Sequence, residues 1–230
     1  NNVPVVAAAG NSHKYYENAY PAAFPGVIAV GAVKSDKTKA DFSTKTGNLF
    51  LAAPGQGIYS TVRGAGYDSW KGTSMATPFV SGAVALLKSK WPELDINGIH
   101  AQLKQTAEDL AAPGWDPETG WGLLDLGRAL AGDRPLENNL FGTLEVTVVD
   151  KDGKPVEYAR VLLREENTPA GYSRDLSALS NIDGKVLFMA QPAGTYKIWA
   201  AKDDLRGKGE ATISAGGTIP VTVTLAAAGE

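Results

Sequence analysis

The chain has 230 residues, enough for one sizeable core and one small domain. With 22 Lys and Arg against 25 Asp and Glu, a net charge of −3 leaves no basic footprint for nucleic acid or an anionic membrane. The absence of cysteine excludes disulfides and thiol chemistry, and no apolar run approaches the ~18 residues of a membrane span.

Taken in chain order, residues 3–9 and 27–33 are short, nearly continuous apolar runs, the pattern of strands covered on both faces. The long loop between them, Asn11 to Gly26, carries Tyr15, Tyr16 and Tyr20 and reads as the lining of a surface site. Residues 57–62 and 67–71 predict a hairpin, turned by Arg63-Gly64-Ala65-Gly66, that leads to Ser74. Helices are predicted over 73–90, 95–109 and 124–131, with Ile96, Ile99, Leu103 and Leu110 spaced as core. Gly132-Asp133-Arg134-Pro135-Leu136-Glu137-Asn138-Asn139 is polar, breaks the helix and reads as a linker. Beyond it the period becomes two, starting with Leu144, Val146 and Val148. Strands recur near 158–164, 185–190, 194–202, 209–214 and 219–225, a spacing that predicts an antiparallel β-sandwich.

The chemistry concentrates in Gly72-Thr73-Ser74-Met75-Ala76-Thr77-Pro78. Small neighbours let a substrate backbone approach the Ser74 hydroxyl, and Ser or Thr at a helix start satisfies orphan amides, with Pro78 tolerated in the first turn. Alone, such a stretch more often means a capped core helix, and Asn11 after Gly10 more often means a turn. Ala76 rules out the Gly-x-Ser-x-Gly elbow of α/β-hydrolases. Gly-Thr-Ser-Met-Ala-x-Pro resembles instead the serine signature of the subtilisin-like serine peptidases (subtilases). Val3-Pro4-Val5-Val6-Ala7-Ala8-Ala9-Gly10-Asn11 resembles the family strand that ends in an oxyanion-binding asparagine. Tyr20 to Ala32, Phe42-Ser43, Ala53-Pro54-Gly55 and Gly120-Trp121-Gly122-Leu123-Leu124-Asp125 follow in family order, so the likeness spans roughly the first 130 residues.

The resemblance implies an α/β fold: the C-terminal part of a subtilisin-like three-layer domain with a parallel sheet, followed by a small all-β sandwich. The expected boundaries are 1–132 for the peptidase part, 133–139 for the linker and 140–230 for the sandwich. It implies a serine endopeptidase that cuts polypeptide through an acyl-enzyme. Ser74 is then the nucleophile, and Asn11 donates its side-chain amide to the oxyanion beside the Ser74 backbone N–H. Ala8, Ala9, Gly10 and Ala19 fall where the family walls the pocket for the residue before the cut, and Ser12, Gly72 and Thr73 join them as substrate-binding positions. Small side chains there predict an apolar or aromatic preference.

A serine nucleophile needs a base and an orienting carboxylate, and the family order Asp, His, Ser places both upstream of Asn11. The chain alone is therefore expected to be inactive, with the N-terminal part of the domain, or a propeptide, as its partner. His13 and His100 read as ordinary surface or cap histidines, not as the base. Secretion is implied by the resemblance only.

No cofactor is called for. Calcium is the structural ion the family often binds, near the Tyr-Pro loop, but Ala22, Phe24 and Val27 offer only carbonyls and Asn48-Leu49-Phe50 lacks carboxylates. Asp150 and Asp152 read as a hairpin turn, and Asp116 and Glu118 as loop surface. Phe79 stands where the family commonly has a histidine that is not catalytic. In the C-terminal part, Asp152-Gly153-Lys154-Pro155-Val156, Asp183-Gly184-Lys185-Val186 and Pro192-Ala193-Gly194-Thr195-Tyr196 resemble carboxypeptidase-regulatory-like or transthyretin-like modules. The rival reading is a non-catalytic remnant whose β-sandwich binds carbohydrate, a cell surface or protein. Trp199 and Tyr196 are its first candidates, although their strand positions favour a core role.

Overall fold

Runs of Val, Ile and Ala with no polar alternation give strands that must be covered on both faces, and three of them pair in parallel. They are Val5–Ala8 (β1), Val27–Val33 (β2) and Leu49–Pro54 (β3), in the order β1-β2-β3. The computed structural model describes residues 3–13, 19–166 and 175–227; Tyr15 and Tyr16 of the expected lining loop lie outside them. The chain divides into two compact units. The first takes residues up to 23, 27–95 and 102–136; the second takes 24–26, 96–101 and 137 onward.

In the first unit β2 is buried from Ile28 to Val33. The long helix Thr73–Lys90 (α1) packs on all three strands, burying Ala76, Val80, Ala83, Val84 and Leu87. Its hairpin lead-in is Ile58–Val62 (β4) against Gly66–Trp70 (β5), as expected within a residue. The outer edge of β3 is covered by residues 120–124, with Trp121 N–H donating to the Phe50 carbonyl and Leu124 N–H to that of Ala52. Gly120 is required there: at φ +68, a Cβ would lie 2.4 Å from the Phe50 carbonyl oxygen.

Ile96–Thr106 (α2) stops short of the expected 109, because Glu108 leaves the helix to exchange backbone hydrogen bonds with Leu123. Leu110 therefore lies beyond it, while Ile96, Ile99 and Leu103 are buried. Leu126–Ala129 (α3) is a single turn rather than 124–131, capped by the Asp125 side chain. Asp116, expected on the loop surface, is only 2% exposed. Its carboxylate accepts from the Glu118 and Thr119 N–H groups and the Thr119 hydroxyl, so a turn closes over it. Glu118 pairs with Lys45.

The second unit has two sheets. One orders Thr218–Thr224 (β12), Phe141–Val149 (β6) and Lys185–Pro192 (β9) as β12-β6-β9. The other contains Arg160–Glu165 (β7), Asp175–Leu179 (β8), Gly194–Lys202 (β10), Leu205–Ile213 (β11) and Ala226–Ala227 (β13), ordered β13-β11-β10-β7-β8. One buried cluster draws on both: Leu144, Val146, Val148 and Phe188 from the first, Val161, Leu163, Tyr196 and Ile198 from the second. The β12–β6 pair is parallel, where the spacing predicted antiparallel strands throughout. Strand β11 begins at Leu205, four residues early; Gly207 and Gly209 supply its inner face where a Cβ on Gly207 would lie 2.4 Å from the Thr224 carbonyl oxygen.

Two buried polar side chains from α2 belong to this unit. Asn97 accepts from the Ala190 N–H (2.9 Å) and donates to Thr143 Oγ1 (3.3 Å). His100, expected at the surface or in a cap, is 2% exposed, with Nδ1 2.8 Å from the Ile96 carbonyl and its ring edge-on to Phe141. Among the described residues no helix is long and apolar enough to cross a membrane.

Candidate active site

Helix α1 opens without a side-chain cap. Its N-cap is Gly72 at φ +151, so the expected Ser or Thr cap gives way to a different arrangement. The Thr73 N–H donates to Asn11 Oδ1 at 2.9 Å, and the Thr73 hydroxyl donates to the same oxygen at 3.0 Å. Gly10 N–H in turn donates to Thr73 Oγ1 at 3.2 Å. The loop after β1 thus caps the helix from outside.

This knot fixes the orientation of one amide. With Oδ1 of Asn11 taking two donors, its NH₂ group takes no part in the cap. Nδ2 lies 3.4 Å, and the Ser74 nitrogen 3.7 Å, from where a Cβ on Gly72 would sit, ordinary contact distances that put both groups around Gly72. Ser74, next along, is exposed. Met75 and Ala76 N–H both reach back to the Gly72 carbonyl, whereas the Ser74 N–H sits in the first turn, where a helix offers no internal acceptor. The Asn11 amide and the amino end of the helix thus lie around Gly72, two residues before Ser74, an arrangement suited to developing negative charge.

Gly55 sets the floor. Gly72 N–H donates to its carbonyl at 2.8 Å. A Cβ on Gly55 would lie 2.5 Å from Ala32 Cβ and 2.9 Å from the Gly72 carbonyl oxygen, so only glycine lets the end of β3 pass beneath the cap.

Beside Ser74 lies a cavity of about 460 Å³, lined by residues 58–62, Asp68, Trp70, Met75, Pro78 and Phe79. Tyr59 stacks on Tyr67 with ring centroids 5.6 Å apart. Asp68 accepts from the Ser69 N–H (2.7 Å) and the Trp70 indole N–H (3.0 Å), which hold its carboxyl below the ordinary carboxylate range. No histidine is among the described residues lining the cavity, and its single carboxylate is engaged by its own strand.

The remaining expected positions fall elsewhere. Ala9 is buried, and Ala8, Gly10 and Ala19 are half-buried; a Cβ on Gly10 would lie 3.7 Å from Ala19 Cβ, so these two are neighbours. Ser12 is tied to Thr44 through both its N–H and its hydroxyl, each 3.1 Å from Thr44 Oγ1. His13 has φ +61 and donates its N–H to the Phe42 carbonyl. None of these lines the cavity beside Ser74. The aromatic residues that do, Tyr59 and Trp70, are marked in the sequence only as large side chains on the hairpin that leads to the serine. Among the described residues no three His, Cys, Asp or Glu side chains converge to hold a metal. Residues 20–27 hold no carboxylate or carboxamide, so backbone carbonyls and the Tyr20 hydroxyl are the oxygens that segment could turn to a calcium ion.

A family model described as the subtilase family (peptidase S8) matches residues 1–122, over half of the sequence, and the chain belongs to that family. It is similar to fervidolysin from Fervidobacterium pennivorans, at 33% identity over 224 residues, covering 88% of this chain and 31% of that protein. It is also similar to subtilisin DY from Bacillus licheniformis, at 46% identity over 111 residues, covering 47% of this chain and 40% of that one. The crystal structure of fervidolysin, described as a keratinolytic enzyme related to subtilisin, superposes with a TM-score of 0.76 at 26% identity. That match covers 96% of this chain and 40% of the other. The chain thus spans well under half the length of these relatives.

Proposed function

We propose that this chain carries the nucleophile half of a serine endopeptidase site. The observation that supports it best is the double hold of Thr73 on Asn11 Oδ1, which leaves the Asn11 NH₂ out of the cap, near Gly72. In this reading Ser74 Oγ forms a bond to the peptide carbonyl carbon while a histidine takes its proton. The carbonyl oxygen, now anionic, receives hydrogen bonds from Asn11 Nδ2 and the Ser74 N–H. The peptide C–N bond then breaks as the amine leaves with that proton, and water releases the acyl group from Ser74.

The histidine and its aspartate come from a segment that family order places before Asn11. Strand β1 pairs only with β2 among the described residues, and Val3 and Val5 are exposed beside it. Helix α1 likewise exposes Phe79 and Leu86. These are the surfaces on which that segment is proposed to dock. The side of the substrate before the cut lies toward Ala8, Ala9, Gly10 and Ala19, with Ser12, Gly72 and Thr73 about it; the leaving side lies on Trp70 and Met75. The two-sheet unit, residues 140–230 beyond a linker at 133–139, is read as a carboxypeptidase-regulatory-like sandwich. The protein is read as secreted, with extracellular protein as its substrate class.

The test is a peptide panel cut by the chain assembled with an Asp- and His-bearing upstream segment. Cleavage after apolar or aromatic residues is expected; a preference for charged residues before the cut contradicts the pocket assignment.

A further inference from the structure

The five-stranded sheet turns one face to the buried cluster; its other face carries side chains that the peptidase chemistry does not use. Across β11, β10, β7 and β8 the register aligns Glu210, Lys197, Arg164 and Asp175 in one row. The next row is Lys208, Trp199, Leu162 and Ser177, and the third is Arg206, Ala201, Arg160 and Leu179. In the first row Arg164 grips Asp175 through Nε and Nη2, at 2.6 and 2.5 Å, and Lys197 lies 3.1 Å from Glu166 beyond the row.

The other two rows hold Arg160, Arg206 and Lys208, all exposed, and no carboxylate. Glu210 stands on the same strand and face two residues from Lys208, Asp203 and Asp204 sit in the turn before β11, and Arg206 donates to the Asp203 backbone carbonyl. In a chain of net charge −3 these two rows by themselves hold three cations against no carboxylate. The same rows carry apolar surface. Leu179 is 59% exposed and Leu162 half-buried. Trp199, expected in the core, lies half-buried on this outer face because it differs in parity from buried Tyr196; the Arg164 guanidinium stands 5.5 Å from its ring centroid.

The geometry points to this face as an exosite for polypeptide: an extended acidic stretch that also carries aromatic or aliphatic side chains. Its carboxylates meet Arg160, Arg206 and Lys208 while its apolar groups lie on Trp199, Leu162 and Leu179. Strand spacing puts Arg206 and Arg160 about 10 Å apart, and Lys208 about 7 Å along the strand from Arg206. An extended peptide repeats same-side residues at that same interval of about 7 Å. A polysaccharide is disfavoured, since its hydroxyls would find only Ser177 and the Trp199 indole N–H as neutral hydrogen-bonding groups in these rows. Binding here does not use Ser74, so the inference stands apart from the peptidase reading.

The test is binding of a fluorescein-labelled glutamate–tyrosine copolymer to the full chain carrying Ser74→Ala, read by fluorescence anisotropy. Affinity is expected to fall with salt. Arg160→Ser with Lys208→Ser should weaken it about tenfold or more, and Trp199→Ser should weaken it as well. Arg134→Ser with Lys151→Ser, which remove equal charge elsewhere, should change it less than about twofold. All of these positions except Trp199 are exposed, so folding is not at stake in the charge variants. Three results overturn the proposal: no measurable binding, equal losses in both double variants, or tighter binding of polygalacturonate than of the copolymer.

Discussion

Asn11 and Thr73 stand 62 residues apart, and their side chains divide the labour at the nucleophile. Thr73 fixes the amide; in the proposed mechanism Asn11 then presents it to the reacting oxygen. Removing the amide and loosening it should therefore differ in degree. Asn11→Ala is expected to lower kcat of the assembled enzyme about 10²–10³-fold with KM little changed, a magnitude known from a subtilisin rather than one this geometry yields. Thr73→Val, which deletes the hydroxyl proton held by Asn11 and the acceptor used by Gly10, should lower kcat by about tenfold, again without raising KM. Thr73→Ser should restore most of it, because the serine hydroxyl can make both bonds. Steady-state kinetics of the three variants check this, and a loss in KM alone would assign Thr73 to substrate binding instead. The motif showed which residues to suspect. It could not show the knot, because a hydrogen bond between residues so distant in sequence leaves no local pattern.

At the scale of elements, legibility followed periodicity. Strands β1 and β2, the hairpin β4–β5 and helix α1 were readable because their patterns are continuous. Strand β8, Asp175–Leu179, escaped because alternating Asp, Ser and exposed Leu give it too little apolar contrast. The start of β11 was hidden by glycines on its inner face, and the end of α2 by a backbone pairing that only the fold supplies. Helix α2 also carries Asn97, whose side chain serves a backbone N–H on β9 and a hydroxyl on β6. Leaving the buried Ala190 N–H without an acceptor costs roughly 1–3 kcal/mol. Asn97→Ala should lower the stability of the second unit by that order in urea unfolding, and an unchanged midpoint would show that water replaces the side chain there.

For the molecule as a whole, the family is that of the subtilases, and the site proposed above is one shared between this chain and a segment bearing Asp and His. In that proposal the segment docks on the exposed Phe79 and Leu86 of α1 and on the exposed Val5 of β1 and Val3 before it. The most direct test is reaction with a fluorophosphonate, read by intact mass, on the chain alone and on the chain folded together with the upstream segment. A single adduct on the folded assembly, lost with Ser74→Ala and absent from the chain alone, is the predicted result. A folded assembly that takes up no adduct, or an adduct that survives Ser74→Ala, would contradict the assignment of Ser74 as the nucleophile.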